Sequence, residues 1–172
     1  MRALCALIVL ASVIATSAYA DWFTRLDSAG RLVVTGIAVD ENRLLSAVTL
    51  SCSDGELYAE ITTTHNARED DRQYYFGTKV IFTYKTRDGE IRKLGLDGTP
   101  LIQPGNVLAI TAKLTNEQSR AIYTSIGVGN RLDVELIHPN LIYETGVKTV
   151  YSSGFPQALQ GMYHYCPGLD DK

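Results

Sequence analysis

Strand-length runs of alternating apolar and polar residues, cut apart by turn residues, recur through most of this chain and narrow the folds open to it. The run RLVVTGIAV at Arg31 to Val39 is rich in β-branched residues that suit a pleated surface, and RLLSAVTLS at Arg43 to Ser51 follows it. In ELYAEITTT, Glu56 to Thr64, an alternating residue pattern sets Leu57, Ala59 and Ile61 on one face and Tyr58, Glu60 and Thr62 on the other. The SDG between the last two runs reads as a tight turn, so the pair is expected to form a hairpin. KVIFTYK at Lys79 to Lys85 and Glu90 to Leu96, joined through RDG, make a second. Arg131 to Ile137 and Gly146 to Tyr151 supply further strands, and VLAITAKL at Val107 to Leu114 suits a strand or the start of a helix. DGTP and QPGN read as turns, and His65 to Gln73, charged and without a large apolar residue, as an exposed loop or edge. The fold class expected is mainly β: an antiparallel β-sandwich or barrel-like domain with one or two short helices.

Two segments break the alternation. Asn116 to Ser125 carries helix-forming residues and is expected to end before the glycines of GVGN. That GVGN follows a helix and precedes a strand, the reverse of a phosphate loop, so it reads as a helix stop. Near the C-terminus, Phe155, Ala158, Leu159, Met162, Tyr163 and Cys166 fall on one helical stripe. Pro156 is tolerated in the first turn and Pro167-Gly168 ends the segment. Cys166 then faces the core with the stripe.

The first twenty residues, MRALCALIVLASVIATSAYA, show an early Arg, an apolar run and an A-x-A ending, the order of a secretory signal peptide. Cleavage after Ala20 removes Cys5 and leaves Cys52 and Cys166 from the three cysteines of the chain. In an oxidising compartment these have one intramolecular pairing, which would tie the last helix to an early strand. Two buried free thiols and a bridge between chains are the alternatives. Residues 21–168 then form a single domain, with a flexible tail at 169–172 and no integral membrane segment after cleavage. A net charge of −3 and the lack of any Lys/Arg run argue against nucleic acid as a partner. No Asn is followed two places on by Ser or Thr, which fits a bacterial exported protein.

Motifs for chemistry are weak. His65, His138 and His164 match no metal-ligand spacing and read as surface or turn histidines, so no metal and no cofactor is expected. G-x-S-x-G does not occur, and adjacent acids at Glu69, Asp70 and Asp71 suit a solvated loop better than a paired acid and base. Catalysis is therefore not expected. The best interaction segment is aromatic: Tyr74, Tyr75 and Phe76 cannot all face one core in an extended strand, so one or two are expected at the surface, beside Glu69, Asp70, Asp71 and Arg72.

The order of strand, small-polar-Gly, Phe155, two residues, Ala158-Leu159, apolar residues and Cys166, with a second cysteine on an early strand, resembles the exported bacterial proteins of the invasion-associated locus B type. It is similar, too, to accessory proteins of type VI secretion that end in a Gly-x-x-x-Ala-Leu helix and a cysteine. The resemblance covers the C-terminal part of the chain plus Cys52. It implies a β-rich extracytoplasmic domain, a place and a scaffold rather than a reaction; the role expected of the chain, periplasmic or secreted, is to bind another protein in the envelope, in host association or in a secretion machine. An inhibitor or immunity-type protein, blocking an extracytoplasmic enzyme such as a muramidase through the charged loop, is the alternative expectation, and an unrecognised hydrolase the third.

Overall fold

The computed structural model describes residues 21–27, 30–39, 45–53, 56–140 and 146–163. Residues 1–20, read as a leader, Cys166, and residues 169–172, read as a tail, lie outside these residues. The strands are β1 (Trp22–Leu26), β2 (Leu32–Val39), β3 (Leu45–Ser53), β4 (Glu56–Asn66), β5 (Lys79–Lys85), β6 (Ile91–Asp97), β7 (Thr99–Gln103), β8 (Val107–Leu114), β9 (Arg131–Ile137) and β10 (Lys148–Tyr151). A 3-10 helix spans Glu69–Tyr75, and the α-helices are α1 (Asn116–Gly129) and α2 (Phe155–Tyr163).

All strand pairings are antiparallel, in one sheet of order β6-β5-β9-β10-β2-β3-β4-β8-β7, with β1 alongside β2. Both expected hairpins form, β3 with β4 and β5 with β6. The edge strands β6 and β7 are consecutive in sequence and separated by one residue, Gly98, so the sheet curls until its edges approach. Gly98 donates its amide to the Thr78 carbonyl at 2.8 Å, and β6 packs against β8. No ladder joins β6 to β7, so the arrangement is barrel-like and unclosed rather than two facing sheets.

Register explains which side chains are buried. Val34, Leu50, Ala59 and Ala112 stand in one cross-strand row, and Val48, Ile61 and Ile110 in the next, all buried. Val80, Phe82, Leu132, Val134 and Leu136 supply the facing wall. Removing such a side chain from water contributes about 1.5 to 3 kcal/mol. The helices add to this core, α1 against β5 and β9 and α2 against β1 and β2. Phe155 of α2 meets the Trp22 ring edge-on at 4.9 Å and stacks on Tyr123 of α1 at 5.8 Å.

Four expectations are corrected. Residues 65–73 are no simple loop: β4 continues to Asn66 and the 3-10 helix follows, because Asp71 can accept the Arg68 amide and close its first turn. The QPGN turn forms, closed by the Asn106 amide on the Gln103 carbonyl, but at DGTP the strand β7 starts at Thr99 where a turn was read; its Pro100 is tolerated because β7 is an edge strand. The helix α1 runs through the glycines to Gly129 and is stopped by Asn130, which takes the left-handed conformation at φ 60°. Packing of Ile122 and Ile126 outweighs the helix penalty of those glycines. His138, read as a surface or turn residue, is 2% exposed.

Candidate interaction site

The segment from Arg68 to Phe76 is built outward from a buried anchor. Tyr75 at the end of the 3-10 helix is buried, and its hydroxyl shares a 3.0 Å hydrogen bond with His65 Nε2. The Thr78 hydroxyl donates to the Tyr75 carbonyl at 2.7 Å. Burial, with the Asp71 carboxylate adding to it, pushes the Tyr75 phenol above its ordinary value, so it stays protonated at neutral pH. In a helical turn, neighbours of a buried residue point away from it. Tyr74 is accordingly 60% exposed, and Phe76, which leaves the helix in extended conformation, is 55% exposed.

The charges divide by role. Arg72 donates from Nε to the Pro100 carbonyl at 2.9 Å and meets Glu69 at 3.3 Å, which staples the segment to β7. Asp71 Oδ2 accepts the Arg68 amide at 3.3 Å. Asp70 lies with these acids in the first turn.

His138, just past β9, holds the other side. The Asn140 amide donates to its Nδ1 at 3.1 Å, which leaves the ring proton on Nε2 for the Phe76 carbonyl at 3.2 Å. One buried imidazole therefore joins the aromatic segment to the turn after β9. Between them is an open groove of about 420 Å³ lined by Asp71, Gln73, Tyr74, Tyr75, Phe76 and Asn140. Of the residues expected to interact, Tyr74, Phe76 and Asp71 meet at this groove, with Tyr75 as its inner wall; Glu69, Asp70 and Arg72 do not line it. Asn140 and His138 were missed because only the strand order brings β9 beside β5 and the aromatic segment before it.

Other openings differ in character. A groove of about 450 Å³ lies between β1 and α2, lined by Trp22, Phe23, Thr24, Ser153, Gly154, Gln157 and Ala158. A narrow cavity of about 20 Å³ beside Ser46 and Lys148 has room for no more than one water. Among the described residues no group of three His, Cys, Asp or Glu side chains is placed to hold a metal ion, and no helix is long and apolar enough to cross a membrane. Cys52, on β3 opposite Leu57, is half-buried against the core.

No family model matches the sequence, and no curated protein does. Among solved structures the chain is similar to the crystal structure of invasion associated protein B from Bartonella henselae, with a TM-score of 0.53 and 11% identity over 86% of this chain and 94% of that one. At that identity the likeness speaks for architecture: this chain has a fold similar to that of a bacterial invasion-associated protein.

Proposed function

We propose that the protein is an exported bacterial protein, periplasmic or secreted, that works by binding in host association, with Tyr74 and Phe76 as its contact surface. The observation that carries the reading is the pair itself: two large aromatic rings held in water by a frame locked from behind through Tyr75, His65 and His138. Ordered aromatics lose little conformational entropy on binding, which is why they serve as anchors at interfaces. The fold similarity and the leader-like first twenty residues support the placement outside the cytoplasm. The Cys52–Cys166 bridge belongs to the same proposal, as the clasp of the terminal helix in an oxidising compartment.

The inhibitor reading asked for a charged inserting loop. Glu69 and Asp71 are engaged within the segment instead, and the geometry adds nothing to that alternative.

The test is binding of the purified folded protein to cells of the host, compared with the Tyr74→Ala/Phe76→Ala variant. Both rings are solvent-exposed, so the variant keeps its melting temperature, while saturable binding falls about 100-fold for two lost anchors of ~1.4 kcal/mol each. Equal binding by variant and wild type would remove this surface from the function.

A further inference from the structure

We infer that the groove between the aromatic segment and the turn after β9 takes a saccharide, a neutral or amino sugar displayed on the binding partner. The inference rests on the reading of Tyr74 and Phe76 as the contact surface and assigns that surface its ligand chemistry. The lining is mixed in a specific way: two exposed rings, the amides of Gln73 and Asn140, and the Asp71 carboxylate. A pyranose ring offers matching features, a face of C–H groups that packs on an aromatic ring and a rim of hydroxyls that both donate and accept. Side-chain amides do both in return, and the Asp71 carboxylate, whose Oδ2 takes the Arg68 amide, can accept a hydroxyl at Oδ1.

Competing chemistries fit the lining less well. Among the described residues no Lys, Arg or His side chain lines the groove, so a phosphate or other anion meets no counter-charge there, and Asp71 repels it. A wholly apolar ligand would strip water from Asp71, Gln73 and Asn140 without replacing their hydrogen bonds. The volume of about 420 Å³ lies within the ~300 to 1,000 Å³ of small-molecule sites. The site is also pre-set. The backbones of Phe76 and Asn140, both in the lining, are bonded to the same imidazole at 3.2 and 3.1 Å, so the backbone there is tied before a ligand enters.

The test is a printed array of neutral, amino and acidic glycans probed with the purified folded protein, followed by calorimetry with the printed glycan that binds most strongly. The expected result is saturable binding to neutral or amino sugars, weakened about tenfold by Tyr74→Ala and by Phe76→Ala. Asn140→Asp, which places a second carboxylate in the groove, should shift preference toward amino sugars. Phe23→Ala, in the separate groove between β1 and α2, should leave affinity unchanged. A silent array, a preference for acidic glycans, or affinity unaffected at Tyr74 and Phe76 overturns the inference. If the array is silent while host-cell binding still depends on the two rings, the saccharide fails and the contact surface stands. If cell binding is independent of the rings as well, both fail.

Discussion

At the scale of single residues, burial decides behaviour more than residue type does. Glu60 shows it: on β4 it stands in register between Thr49 and Thr111, turned away from the face of Ala59 and Ile61, and yet it is half-buried. Burial raises its carboxyl above the ordinary 4.5, Arg25 pulls it partly back, and Gln103 donates to Oε1 at 2.7 Å. A carboxyl raised in the folded state contributes stability that is full below the unfolded value and is lost as pH climbs through the folded one. Glu60→Gln keeps a carbonyl acceptor for Gln103 and removes that loss. The melting temperature of the variant relative to wild type should therefore rise as pH climbs from the ordinary carboxyl value of 4.5 through the raised folded one. A difference that does not grow as pH climbs above 4.5 would contradict the assignment. The candidate site was partly legible on the same terms. The YYF triplet told that some ring must be exposed, and the structure sorts them, with Tyr75 inside and Tyr74 and Phe76 outside. His138 was illegible because its burial comes from contacts with Phe76 and Asn140, the first of them distant in sequence.

Among the elements, alternation was a reliable guide where a strand has one buried face, as in β4, β5 and β9. It failed for β1, a short strand with one buried residue, Trp22, and for β7, where Pro100 reads as a turn signal. Both are ladder partners of longer strands, and their conformation is imposed by β2 and β8. The junction of β1 and β2 depends on an absent side chain. Trp22 stands opposite Gly36, where a Cβ would come within 2.8 Å of two indole atoms and of Val150 Cγ1. The indole Nε1 donates to the Tyr151 carbonyl at 2.7 Å and the Trp22 amide to Ser153 at 3.0 Å, so the ring has nowhere to retreat. Gly36→Ala should cost about 1 to 3 kcal/mol by overpacking in chemical denaturation. A variant as stable as wild type would mean that the indole moves freely, against the geometry described.

For the molecule as a whole, composition and alternation told the β class, while strand order was beyond them. The neighbours β2 and β10, or β5 and β9, are far apart in sequence, so no local pattern in either strand encodes their pairing. The stripe of α2 was legible through Met162, and Phe155, Ala158, Leu159 and Met162 are buried as a helical period requires. Closing the loop from Cys52 to Cys166 would contribute roughly 4 to 5 kcal/mol in the chain-entropy description, a large share of a small domain's stability. That clasp and the leader both follow from one claim, that the protein works outside the cytoplasm. Its most direct test is peptide mapping by mass spectrometry of the protein taken from its native cells, with free thiols alkylated before digestion. The account predicts an N-terminus at Asp21 and a linked peptide pair joining Cys52 to Cys166. A chain that retains Cys5, with Cys52 and Cys166 both alkylated, would contradict it.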